Sequence, residues 1–116
     1  MSNVGVYERS RTHWPNDADG DVLRRMSSHG FDFSSPANID FNIDFDEWPP
    51  SKEFLGHLRS QFSEVFVYDP DEHGGGYVRI VVNALVTYDL VMFVQKSVSE
   101  IAAPFGGICE SWGVLH

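Results

Sequence analysis

Ile39-Asp40-Phe41-Asn42-Ile43-Asp44-Phe45 is the stretch that decides the fold. Apolar and polar residues alternate along it without a break. Period two, with β-branched and aromatic side chains on one side only, marks a strand with one face buried and one face polar. Trp48-Pro49-Pro50 ends it. Ser51 can then cap a helix whose apolar stripe is Phe54, Leu55, Leu58 and Phe62. Val65 to Tyr68 reads as a second strand and Tyr77 to Val86 as a third. Between them lies the turn-rich loop Asp69-Pro70-Asp71-Glu72-His73-Gly74-Gly75-Gly76, which suggests a wide hairpin. Thr87 can cap a further helix with Leu90, Val91, Val94, Val98 and Ile101 at helical spacing. Pro104 stops it, Phe105-Gly106-Gly107 turns the chain, and Ile108 to Val114 is the last strand.

Upstream, Val22, Leu23 and Met26 share a helical face and Gly30 suits the C′ position, so a helix is expected over about residues 18–29. Phe31 and Phe33 anchor the connector to the first strand. After that extra helix the order is strand, helix, strand, strand, helix, strand. This is the split βαβ order of a ferredoxin-like α+β sandwich, with an antiparallel four-stranded sheet. Right-handed crossovers give the spatial order 4-1-3-2 with both helices on one face. Ile39, Phe41, Ile43 and Phe45 then face the helices, and Asp40, Asn42 and Asp44 face the other way. Residues 1–13 read as an N-terminal arm, with a short added strand near Val4-Gly5-Val6-Tyr7, and 14–116 as one domain.

The chain has 116 residues, enough for one core without a disulfide or metal staple. Lys and Arg number 8 and Asp and Glu 17, so the net charge is 8 − 17 = −9. Phosphate backbones need clustered cations, and anionic membranes repel this sign, so direct binding to either is disfavoured. A basic protein partner fits better. Cys109 is the sole cysteine, no apolar run approaches the length of a membrane span, and no secretory signal opens the chain. A reducing cytoplasm is the expected setting.

Few residues offer chemistry. Asn16 to Asp21 resembles a calcium loop, but placing Gly20 sixth puts Pro15 first and Met26 twelfth, where carboxylates are required. Capping of the first helix by Asp17 or Asp19 is the simpler reading. His13, His29, His57, His73 and His116 show no zinc-ligand spacing. Cys109 reads as a small buried apolar group, and the triple glycine, which opens no helix and lacks a following Lys, as a hairpin tip. No cofactor or catalytic residue is expected. Asp40, Asn42 and Asp44 form a polar stripe that Arg79 on the neighbouring strand can pair with, and these three are the candidate protein-binding residues.

Several segments resemble the RraB family, the regulators of ribonuclease E activity B. They are Trp14-Pro15-Asn16-Asp17-Ala18-Asp19-Gly20-Asp21, Gly30-Phe31-Asp32-Phe33, Asp40-Phe41, Tyr88-Asp89, Pro104-Phe105-Gly106-Gly107 and Trp112-Gly113. The resemblance implies a non-catalytic α/β sandwich that binds ribonuclease E outside its catalytic domain and lowers RNA cleavage. The implied partner is ribonuclease E or another basic RNA-processing protein. Three other readings stay open. They are a small-molecule-binding or enzymatic domain with a pocket between helices and sheet, an immunity-type inhibitor of a basic toxin, and a homodimer.

Overall fold

The computed structural model describes residues 14–114, so the expected N-terminal arm lies outside the described residues. Its elements are α1 (Ala18–Ser28), β1 (Ala37–Phe45), α2 (Lys52–Gln61), β2 (Val65–Tyr68), β3 (Tyr77–Ala84), α3 (Tyr88–Ala102), a 3-10 turn (Ala103–Phe105) and β4 (Gly107–Val114). The sheet is antiparallel, with order β2-β3-β1-β4, which is the split βαβ arrangement read in the other direction. The fold is an α+β sandwich of ferredoxin-like plan with α1 added before it.

Local chemistry starts each helix where the sequence places a cap. Asp17 accepts from the Gly20 N–H at 2.7 Å, Ser51 from Phe54 at 3.0 Å and Thr87 from Leu90 at 3.0 Å. Each satisfies a donor that a helix N-terminus leaves unpaired. α1 ends at Ser28, one residue short of the expected boundary, and Gly30 follows with φ of 80°.

The alternation in β1 maps onto the sheet as expected. Ile39, Phe41 and Ile43 are fully buried beneath the helices, opposite Val82, Ile80 and Val78 of β3. Leu23 of α1, Phe54 and Leu58 of α2, and Val91 and Val98 of α3 complete the core. Fully burying a side chain of this size contributes roughly 1.5–3 kcal/mol. α3 is the central helix, packing against β4 and β1 and touching both α1 and α2.

β3 ends earlier than expected, and the β1–β4 pairing is irregular. β3 stops at Ala84, because Leu85 and Val86 turn away from the sheet and Val86 enters the core at 2% exposure. β1 pairs with β4 through a register shift: Asn42 faces Ser111 and Ile43 faces Cys109, which leaves Glu110 as an extra residue on β4.

Candidate functional site

The face of the sheet away from the helices carries the predicted stripe. Register places Asp40 opposite Val81 and Gly113, Asn42 opposite Arg79 and Ser111, and Asp44 opposite Tyr77 and Ile108. The structure therefore brings the three residues together along the centre of one face, but in different environments. Asp44 is exposed and Asn42 half-buried, whereas Asp40 is 7% exposed. Arg79 explains the difference. Its Nε donates to Asn42 Oδ1 at 3.2 Å and lies 3.7 Å from Asp40 Oδ2. Asn42 Nδ2 reaches Asp40 Oδ2 at 3.4 Å. The carboxylate on the central strand is thus paired with a guanidinium and not fully solvated, as a buried charge requires.

Next to the stripe the face becomes aromatic. Tyr68 and Tyr77 stack with centroids 4.8 Å apart. The Arg79 guanidinium lies 5.5 Å from the Tyr68 ring and 5.8 Å from the Tyr77 ring, within cation–π range. Phe66 beside them is 44% exposed.

At one end of the sheet the acidic residues gather. Asp44 is the last but one residue of β1, with Asp46 and Glu47 just beyond the strand. The β2–β3 loop at the same end adds Asp69, Asp71 and Glu72. Trp48 fixes the two segments to each other. Its Nε1 donates to Asp69 at 3.2 Å, and its ring lies so close to Gly76 that an added Cβ would sit 2.6 Å from it. Asp71 orders the loop tip by accepting from the His73 and Gly74 N–H groups at 2.8 and 3.1 Å. Sequence reading missed the role of Trp48, because Trp-Pro-Pro signals only where a strand stops.

The calcium-like segment supplies the cap of α1. Asp17 caps α1 and also accepts from the Tyr88 hydroxyl at 2.6 Å. That bond, together with the Gly20 N–H, holds the Asp17 carboxyl below its ordinary range, and it pushes the Tyr88 hydroxyl up to about 12. Asp19 Oδ1 accepts from Trp112 Nε1 at 2.7 Å and Gln95 Nε2 at 3.3 Å. The N-terminus of α1 is thereby tied to α3 and β4. Gly20 has to be glycine, since a Cβ there would lie 2.0 Å from the Pro15 carbonyl oxygen.

Other chemical groups lie apart. Cys109 is 5% exposed, and burial pushes its thiol up to about 12. A groove of about 540 Å³ runs between α1 and the end of β4, lined chiefly by Val22, Met26, Phe31 and Val114. Its polar members are Arg25 and His29, and the His29 ring Nδ1 contacts the Arg25 carbonyl oxygen at 2.7 Å. Among the described residues no carboxylate or nucleophile lines it. Among the described residues no group of three or more His, Cys, Asp or Glu could hold a metal ion, and no helix is long and apolar enough to cross a membrane.

The molecule is thus a ferredoxin-like α+β sandwich with a polar, aromatic open sheet face and an acidic rim. The chain belongs to the RraB family, described as regulator of ribonuclease activity B, whose family model matches residues 16–114. Membership makes it a regulator of ribonuclease activity. A comparison with curated proteins finds no match.

Proposed function

We propose that this protein binds ribonuclease E through its acidic surface, at an arginine-rich segment outside the catalytic domain, and so lowers cleavage of RNA. Within this reading Asp44 contacts the partner directly. Asn42 and Asp40 hold Arg79 in place beside it. The observation that carries the reading is the gathering of Asp44, Asp46, Glu47, Asp69, Asp71 and Glu72 at one end of the sheet, in a chain of net charge −9. Complementary charge of this kind steers encounter and fixes register, and it weakens as salt screens it over about 8 Å at physiological ionic strength. The reading places the complex in the cytoplasm and needs no cofactor.

The test is binding of the purified full chain to purified ribonuclease E from the same host, with RNA cleavage followed in parallel. Affinity should fall steeply as salt rises, and the triple change Asp44→Lys, Asp46→Lys, Asp71→Lys should weaken both binding and inhibition. Equal binding at low and high salt, or none at either, counts against it.

A further inference from the structure

The two edges of the sheet differ. β4, on one edge, carries the extra residue Glu110, and such a bulge is a common way to discourage further pairing. β2, on the other edge, reads Val65-Phe66-Val67-Tyr68, with no charge, no proline and no bulge. Phe66, Val67 and Tyr68 are 44, 38 and 38% exposed, so apolar surface lies open on both faces of the strand.

The register shows which backbone groups are open. The Val81 N–H donates to the Glu64 carbonyl at 3.1 Å, one pair beyond Val65 opposite Ile80. In an antiparallel ladder hydrogen-bonded pairs alternate with non-bonded ones. Phe66 with Arg79 and Tyr68 with Tyr77 are therefore the bonded pairs. Val65 and Val67 direct their N–H and C=O groups outward, away from β3. Among the described residues no strand meets them.

Charge selects what would pair there. Glu64 precedes the strand, and Asp69, Asp71 and Glu72 follow it. No Lys or Arg occurs between Arg59 and Arg79. Two copies of this chain joined antiparallel through β2 would bring the acidic group after one strand against Glu64 before the other, at both ends. An extended basic segment meets opposite charge at both ends instead.

We infer that β2 is a strand-addition site, at which an extended, arginine- or lysine-bearing segment of the partner adds a fifth strand through the outward backbone groups of Val65 and Val67. The inference rests on the reading of the chain as a binder of a basic partner and supplies the mode of binding. In such a mode the main-chain ladder gives affinity and the alternating side chains give selectivity. One face of the added segment would lie beside Phe66 and Tyr68.

The probe is a synthetic eight-residue peptide of alternating Arg and Val, titrated into the full chain at low salt. Amide hydrogen exchange is read residue by residue. Binding should slow exchange at Val65 and Val67 by about tenfold or more. Val67→Pro deletes an outward N–H that β3 does not use, at an edge position where proline is tolerated. It should weaken peptide binding by about tenfold or more, whereas Val67→Thr, which keeps the N–H, should bind like the parent. Circular dichroism checks the fold of Val67→Pro, and exchange in the parent chain decides the matter even if that variant unfolds. Peptide binding that leaves the Val65 and Val67 amides unchanged, or that a folded Val67→Pro keeps intact, overturns this inference alone and leaves the acidic-surface reading standing. Absence of any binding to the arginine peptide overturns both. A dimer of the chain that Val67→Pro dissolves would overturn the basic segment as the occupant.

Discussion

Asp19→Ala tests how the N-terminus of α1 is held. Asp19 Oδ1 accepts from Trp112 Nε1 at 2.7 Å and Gln95 Nε2 at 3.3 Å. The truncation leaves a half-buried indole N–H without its acceptor, a loss of about 1–3 kcal/mol. Gln95 is half-buried and its bond is long at 3.3 Å, so it adds little. Removing a carboxylate from the first helical turn adds about 0.3–1 kcal/mol through the helix dipole. The sum is about 1–4 kcal/mol, out of roughly 6–15 kcal/mol for a domain of this size. In thermal terms this is on the order of 10 °C in Tm. Asp21→Ala is the control, since it removes the same charge from the same turn but disrupts only an exposed ion pair with Arg24, worth about 0–1 kcal/mol. The assay is urea unfolding of the parent, Asp19→Ala, Trp112→Phe and the double variant. The cycle should give a coupling of about 1–2 kcal/mol. A coupling near zero, or an Asp19→Ala no less stable than Asp21→Ala, would refute the account of this tie.

Two further outcomes follow from the same geometry. The folded Tyr88 hydroxyl is pushed up to about 12 from 10.0 by its bond to Asp17, so its contribution to stability is full below pH 10 and is lost as pH rises from 10 toward 12. Asp17 is shifted the opposite way, so its contribution is full above about pH 3.8 and is lost as pH falls through the lowered folded value. The Tm difference between parent and Tyr88→Phe should therefore be largest at intermediate pH and shrink at both extremes; a difference independent of pH would contradict this. Cys109, with its thiol pushed up to about 12 from 9.0, should react with a thiol reagent at pH 8 roughly a thousandfold more slowly in the folded chain than in urea. Equal rates would place the thiol outside the core.

The sequence carried the parts of the fold that depend on local pattern. Alternation in β1 fixed which residues lie under the helices, and Ser51 and Thr87 began their helices where a hydroxyl could take an orphan N–H. What it could not carry was the covering of one side chain by others across the sheet. Asp40 and Asp44 are equivalent in an alternating pattern. Only the pairing of β1 with both β3 and β4 sets Asp40 between Val81 and Gly113, next to Arg79, while Asp44 stays exposed near the sheet's end. The polar face is accordingly less negative along its centre than a row of aspartates suggests, and the open charge lies at the rim. The end of β3 was misplaced for a related reason. Leu85-Val86 continues an apolar run, but Val86 is apolar because it turns into the core, not because it continues the strand.

The residues that carry the family resemblance mostly build the platform. Asp17 and Tyr88 bond to each other, Asp19 and Trp112 bond to each other, and Gly20 makes room for the Pro15 carbonyl. These contacts lock α1 onto α3 and β4. β2 and its acidic loop take no part in that lock and contribute none of those motifs. A side chain committed to a buried or half-buried bond cannot at the same time be the variable part of a binding surface. The family pattern therefore accounts for why the sandwich forms, and on the proposed reading the choice of partner falls to residues outside it: Asp44, Asp46 and Glu47 at the end of β1, the Asp69–Glu72 loop, and the open edge at Val65 and Val67. Changes at Asp44, Asp46, Glu47 and Glu72, which are exposed, should alter which protein is bound while leaving Tm close to that of the parent, since exposed substitutions away from caps and core usually move stability by no more than about 0.5 kcal/mol.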